Sequence, residues 1–295
     1  LLNAPIFFMV LAWSMAALGY QENAIGSMPQ RVLQVFSCLN KGGAESRTMD
    51  VYRHLDREQV QFDFVVSTPN PENQFFYSEI QALGGRVYEI QSWKKTGIFP
   101  YFSQWRRVFR AGGYRIVHAH LSLDCWFPLF FAWLNGVPRR ISHARCSGGG
   151  ESSEMKPWVI LVKRGLINLL STDKIYCSDK ASDYVFGKHC RDKEHTYFLP
   201  NAIDLTHFSS ERVESKQQIK DSLGVSNFTY LIGTVGNSRP VKNHIFLVRA
   251  FHQFLQLVPN AALIIVGNSE QDTEAKQYVE THGLNNHVFF LGVRT

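Results

Sequence analysis

Three short segments carry residue types that can do chemistry together. The first is Asn40-Lys41-Gly42-Gly43-Ala44-Glu45. Paired glycines admit positive φ and let a ligand approach the backbone closely. Unpaired amides at a helix start here would form an anion site, and Glu45 would suit the helix dipole. A plain tight turn between a strand and a helix accounts for the same residues. The second segment is Val117-His118-Ala119-His120. Alternate residues of a strand share a face, so His118 and His120 point the same way, or His120 lies at the tip. Two imidazoles at that spacing can ligate a metal, but no nearby Asp, Glu or Cys completes a set. A structural histidine is the alternative. His143 and Arg145 end the next apolar run and lead into Cys146-Ser147-Gly148-Gly149-Gly150-Glu151. The third segment runs from Val235 through Gly236, Asn237, Ser238, Arg239, Pro240, Val241, Lys242 and Asn243 to His244. Arg239 and Lys242 before a helix suit a diphosphate, since amides and dipole hold the oxygens while the cations neutralise them. A solvated basic loop is the plainer reading.

These segments need a scaffold that brings loop ends to one edge. Short β-branched runs at 32–36, 62–66, 87–90, 116–120, 140–143, 174–177 and 196–199 read as strands. Helical patterns occupy 44–55, 74–83, 99–111, 123–134, 157–170 and 180–189 between them. The alternation predicts an α/β fold with a parallel sheet covered on both faces. In the first helix, Thr48, Val51, Tyr52 and Leu55 recur near the helical period. Leu199-Pro200-Asn201 breaks the pattern, and a polar helical stretch follows over 211–223. A second series then supplies strands at 230–235, 262–266 and 288–291, with helices at 244–257 and 271–282. In all such sheets ligands bind outside the carboxyl ends of the strands, where the three segments fall.

Several chemistries lack their signatures. The chain has no G-x-G-x-x-G, no G-x-x-x-x-G-K and no G-x-S-x-G. It has no Asp-x-Asp pair, which disfavours a carboxylate-held divalent ion between phosphates. The five cysteines are odd in number and without Cys-x-x-Cys spacing, so reduced thiols in a cytoplasmic protein are expected. Cys38 and Cys177 are expected to be small buried hydrophobes. The 295 residues are 45% hydrophobic and 19% charged, which excludes a disordered chain. The net charge of +6 is mild: it suits anionic ligands or an anionic membrane surface but is too small to argue for nucleic acid. Residues 1–27 stand outside the fold pattern, and the first twenty carry no charge. A membrane anchor, a signal-sequence remnant and residues upstream of a start at Met28 compete there; the third is the expectation.

Taken in order, these motifs resemble a known family. Gly42-Gly43-Ala44-Glu45, Val117-His118-Ala119-His120, Asn201-Ala202-Ile203-Asp204 with Phe208, and Val235-Gly236 with Pro240, Lys242, Asn243 and His244 carry the likeness. So do Leu263-Ile264-Ile265-Val266-Gly267 and the run from His287 to Gly292. The chain over 31–295 resembles a GT-B glycosyltransferase of the GT4 group, nearest to exopolysaccharide and capsule transferases of the EpsF type. The resemblance implies two Rossmann-like doubly wound domains, over 28–205 and 226–295, joined by 206–225, with the second incomplete. It implies a nucleotide-diphosphate sugar as donor and a lipid-linked sugar or glycan as acceptor. It implies retention of configuration with no metal and no other cofactor. By position, Gly42 and Gly43 would approach the donor diphosphate, and His120 would lie beside the transferring sugar. Arg239 and Lys242 would neutralise the leaving diphosphate, with Glu45, His118, His143 and Arg145 on the acceptor side. The family often has Arg after the glycine at 236, where this chain has Asn237, so Arg239 is expected to take that place. The family's Glu-x7-Glu segment is expected beyond residue 295, as for a truncated transferase that holds its donor weakly.

A basic, aromatic helix around Gln104-Trp105-Arg106-Arg107-Val108-Phe109-Arg110 fits docking on anionic lipid at the inner face of the cytoplasmic membrane. Aromatics packed inward beneath a solvated face fit it equally. The run Pro157-Trp158-Val159-Ile160-Leu161-Val162 is expected to form a buried helix. Two rival functions remain open: a non-catalytic GT-B protein that binds a glycan or partner, and a sugar-nucleotide epimerase of the same architecture. Nucleic acid is not an expected partner.

Overall fold

The computed structural model describes residues 29–148, 155–203 and 215–294. The apolar segment 1–27, Glu151 and residues 204–214 lie outside the described residues. The chain forms two compact units, one ending near residue 204 and the other following it.

The first unit is a seven-stranded sheet in the order β3-β2-β1-β4-β5-β6-β7, parallel throughout. Its strands are β1 (Gln30–Val35), β2 (Val60–Val66), β3 (Val87–Glu89), β4 (Ile116–Ala119), β5 (Arg139–Ala144), β6 (Asp173–Tyr176) and β7 (Thr196–Phe198). Helices α1 (Gly43–His54) and α2 (Tyr77–Ala82) belong to the outward-running half. After them come α3 (Trp93–Thr96), α4 (Ile98–Gly112), α5 (Trp126–Leu134), α6 (Pro157–Leu170) and α7 (Asp179–Val185). All seven expected strands form. The short α3 was not foreseen, and the region expected as one helix over 123–134 opens with a 3₁₀ turn at Ser122–Cys125.

Parallel strands buried on both faces divide their side chains by parity. Leu33, Val35, Val117 and Ala119 enter one core with α4, α5, α6 and α7. Val32, Phe36, Ile116 and Ile141 enter the other, against Met49 and Tyr52 of α1. Gln34, His118 and His143 share the parity of that second set. Polar groups therefore replace apolar ones on the α1 face at its carboxyl end.

The amino end of the sheet is fastened differently. The fully buried Asp63 carboxylate accepts from Arg31 Nε at 2.7 Å, Tyr114 Oη at 2.6 Å and the Arg86 amide at 2.7 Å. These bonds tie β1, β2 and the approaches to β3 and β4 on the rim away from the chemistry.

The second unit holds α8 (Lys216–Ser222), β8 (Tyr230–Val235), α9 (His244–Leu257), β9 (Ala261–Val266), α10 (Thr273–Thr281) and β10 (Val288–Gly292). Its three strands are parallel in the order β10-β9-β8. Both units thus have the expected α/β architecture.

Two expectations about burial fail. Cys38 and Cys177 are half-buried, whereas Cys125 and Cys190 are buried. Both expected thiols lie just past strand ends, where the sheet no longer covers them. The α6 run is not enclosed either: Trp158 is 63% exposed and Leu161 68%. Only Ile167 and Leu170 of that helix are buried. On α4 the aromatics Tyr101, Trp105 and Phe109 do pack inward. Among the described residues, no helix is long and apolar enough to cross a membrane.

Replacing Asp63 by Ala leaves the Arg31 guanidinium and the Tyr114 hydroxyl without their shared carboxylate. The expected loss is about 3–5 kcal/mol, read as a lower urea unfolding midpoint.

Candidate functional site

The strand order reverses between β1 and β4, since β1 leads outward to β2 while β4 starts the opposite series. Loops leaving these two strands diverge and open a crevice at the carboxyl edge. The Gly42–Gly43 loop follows β1, and His120 follows β4.

His120 is 8% exposed and held at both ring nitrogens. Arg145 Nε–H donates to its Nδ1 at 3.0 Å. An arginine only donates, so Nδ1 carries the lone pair and the proton sits on Nε2. That Nε2–H donates to Gln34 Oε1 at 2.9 Å. Phe36 stacks on the ring at 4.3 Å between centroids and 8° between planes. The tautomer and the ring plane of His120 are therefore both fixed.

His118 and His143 complete the cluster. Register places His118 beside Gln34 on one side and Ile141 on the other. The His118 ring lies 4.0 Å from His120 and parallel to His143 at 5.2 Å. His118 Nε2 and His143 Nδ1 share a hydrogen bond of 3.1 Å. The third imidazole thus comes from the neighbouring strand, which local spacing could not reveal. Ring nitrogens of all three lie within 4.8 Å of one another, as metal ligands can. A cation there would have to compete with Arg145, whose guanidinium already occupies His120 Nδ1.

Burial holds these imidazoles neutral. It takes His118 down to about 3, with Arg145 adding to the effect. His120 and His143 lie well below the ordinary 6.5, first through burial and then through their cationic and imidazole neighbours. Burial also lowers Arg145, to about 10, which leaves it protonated at neutral pH.

The glycines act differently from expectation. Gly42 has φ −105° and Gly43 opens α1, so neither uses positive φ. A Cβ on Gly42 would collide with the Glu45 carboxylate, which folds back across it. A Cβ on Gly43 meets nothing within 4 Å, so the space in front of α1 is open. No side chain caps α1 at Gly42.

In the second unit the loop after β8 is clamped to the loop after β9. The Gly236 amide donates to Val266 O at 2.8 Å, and the Asn268 amide to Asn237 Oδ1 at 3.0 Å. Gly267, at φ +132°, leaves no room for a side chain against the Gly236 carbonyl. Asp272 accepts from Ser238 Oγ at 2.6 Å and bonds His244 Nδ1 at 2.7 Å. These contacts fix a 3₁₀ turn over Pro240–Lys242. Arg239 and Lys242 stay exposed, and among the described residues neither forms an ion pair. Asn237 holds the loop together rather than offering a charge.

Sequence reasoning missed Gln34, Phe36 and Asp272. A polar residue between the apolar Leu33 and Val35 of the strand Gln-Arg-Val-Leu-Gln-Val was the visible hint for Gln34. Asp272 had none, because its partners lie 28 and 34 residues away.

Residues 41–207 match the model described as Glycosyltransferase Family 4, and residues 215–295 match Glycosyl transferases group 1. The chain belongs to the family 4 glycosyltransferases. It is 30% identical over 270 residues to the glycosyltransferase EpsF of Bacillus subtilis (strain 168), covering 91% of this chain and 70% of that protein. The capsular polysaccharide biosynthesis glycosyltransferase CapH of Staphylococcus aureus is 22% identical over 267 residues, or 89% of this chain and 69% of that one. The crystal structure of Anabaena HepE with UDP and glucose shares the fold with a TM-score of 0.67 and 20% identity, covering 90% and 70%. The GT-B fold expected from the motifs is thereby established.

The neutral histidines make stability depend on pH. The unfolded chain protonates these imidazoles near 6.5, while the folded state holds His118 neutral to about 3. Below pH 6.5 the unfolded state binds more protons, so stability is lost as pH falls towards 3. The His118 share is at most about 1.4 kcal/mol per pH unit in that window. Urea unfolding between neutral pH and mild acid is expected to show a shallower pH slope for His118→Gln than for wild type.

Proposed function

We propose that the protein transfers a sugar from a nucleotide-diphosphate sugar to a lipid-linked or glycan acceptor in exopolysaccharide or capsule synthesis. The reaction retains anomeric configuration and uses no metal. The observation that carries this reading is His120, held at the crevice as one neutral tautomer by Gln34 and Arg145. A group placed with that precision suits contact with a reacting sugar better than packing alone. His120 meets the transferring sugar, and Glu45, His118, His143 and Arg145 support it from the acceptor side. Gly42 and Gly43 present the open helix start to the diphosphate. Arg239 and Lys242 neutralise the charge that develops as the diphosphate leaves. HepE was solved with UDP and glucose, so UDP-hexoses are the first donors to test.

The acceptor's carrier places the enzyme at an anionic membrane surface. Residues 90–172 hold twelve Lys and Arg against three Asp and Glu, a net +9 that exceeds the +6 of the whole chain. Helices α4, α5 and α6 contain no carboxylate. The exposed stripe Trp158, Leu161, Val162 and Leu169 on α6 supplies the apolar face that such docking needs.

With a UDP-hexose donor and lipid-linked acceptors from an exopolysaccharide pathway, nucleotide release is expected to persist in chelator. His120→Ala is expected to cut turnover about a hundredfold or more. Lys242→Ala is expected to raise the donor KM. Epimerised donor without acceptor would replace this reading with the epimerase; donor binding with no turnover would replace it with a binding protein. In sedimentation with vesicles containing phosphatidylglycerol, the chain is expected to pellet, and the pair Trp158→Ser with Leu161→Ser to remain in solution. Equal pelleting with neutral vesicles would remove the electrostatic part.

A further inference from the structure

The loop that leaves β1 is anchored before it reaches the glycines. Residues 37–41 run beside residues 67–76, the segment that follows β2, and the two are bonded along their length. The Ser37 carbonyl accepts from the Ser67 amide at 3.2 Å, the Thr68 amide at 3.0 Å and Thr68 Oγ1 at 2.8 Å. The Phe76 amide donates to the Leu39 carbonyl at 3.0 Å, and the Phe75 amide to Asn40 Oδ1 at 3.3 Å. Lys41 Nζ lies 4.2 Å from the centre of the Phe75 ring. Leu39 and Phe76 both enter the core that packs against α1.

One bond of this set comes from a side chain where a strand would use its backbone. Leu39 is 1% exposed, and its amide donates to Gln74 Oε1. A buried amide needs an acceptor. By this point β1 and β2 have both ended, at Val35 and Val66, so no ladder carbonyl serves it. Gln74 is 7% exposed, and its Nε2 is buried without a hydrogen bond. An amide kept in the core with its donor unpaired is of use through its oxygen, and such exceptions gather at functional sites. From Leu39 only Asn40, Lys41 and Gly42 remain before α1 opens at Gly43. The Gly42 amide donates to the Asn40 carbonyl at 2.7 Å, and the Gly42 carbonyl accepts from the Ser46 amide at 2.9 Å. So short and tight a tether passes the position of Leu39 on to both glycines.

We propose that Gln74 is a positioning residue for the donor diphosphate: by holding the Leu39 amide, it sets where the Gly42–Gly43 backbone meets the phosphate oxygens. The inference rests on the transferase reading above and adds to it a residue outside the motifs. Amides held in place before an anion arrives need no ordering when it binds, so the gain falls on donor affinity. Among the acceptor-side groups, His118, His143 and Arg145 lie on or just past β4 and β5, away from this loop.

The test uses the full chain. UDP affinity is read by calorimetry; donor KM, acceptor KM and kcat are read with a UDP-hexose and an acceptor that give transfer. Gln74→Met keeps the bulk and removes the oxygen. It is expected to weaken UDP binding and raise donor KM about tenfold, with acceptor KM and kcat within about twofold of wild type. Asn40→Ala, a change at an exposed position, is expected to do the same about threefold, and it decides the matter should Gln74→Met misfold. Glu72→Ala, exposed in the same segment, is expected to match wild type. Wild-type UDP affinity in both Gln74→Met and Asn40→Ala, equal rises in donor and acceptor KM, or an equal loss in Glu72→Ala would each overturn the proposal, as would a wild-type chain that binds no UDP. UDP binding that weakens as expected in a chain that transfers to no acceptor would leave Gln74 assigned and overturn the transferase reading alone.

Discussion

A neutral imidazole buried away from water must pair one donor and one acceptor, and His120 meets that demand in only one way. Arg145 can only donate, which assigns Nδ1 as the acceptor and leaves Nε2–H to Gln34. Gln34 lies next to the carboxyl end of β1 and Arg145 just past the end of β5, so the pairing holds only if β1, β4 and β5 keep their register. The catalytic candidate thereby depends on sheet geometry rather than on its own loop. The same dependence fixes its charge state, since burial and the nearby guanidinium both oppose a proton.

The first unit separates fastening from chemistry. At the amino rim, the buried Asp63 carboxylate gathers Arg31, Tyr114 and the Arg86 amide. At the carboxyl rim the polar groups Gln34, His120 and His143 are buried and paired with one another and with Arg145 and His118. The second unit follows the same logic on a smaller scale. Asp272 joins Ser238 and His244, so the turn carrying Arg239 and Lys242 is held by groups that take no charge from it. On a clamped turn the backbone loses little further freedom when a ligand binds, although the exposed Arg239 and Lys242 side chains still give up rotamer freedom.

Much of the fold was legible in the chain. Apolar runs buried on both faces have no period to misread, and ten strands fell within a residue or two of their expected places. The first helix was legible from Tyr52 and Thr48, although Met49 and Asp50 share its buried face. The errors came from contacts that local pattern does not contain. The α6 run is apolar enough for a core helix, yet the layer beneath it needs only Ile167 and Leu170. Gly42 is a glycine for room rather than for φ, because Glu45 folds back over it.

By itself the sequence determined the alternation of strands and helices, and therefore a parallel sheet with its loops at one rim. It also determined the ordered motifs that mark the family, because chemistry in such a sheet must sit in the loops after the strands. Only the tertiary structure decided which groups share a site. Strand order is not written in any one strand, so the meeting of Gln34 on β1 with His120 and Arg145 just past β4 and β5, across 111 residues of chain, had no local signature. The same holds for Asp272 and His244, whose contact is a product of two loops brought to one edge by hydrogen bonds between β8 and β9.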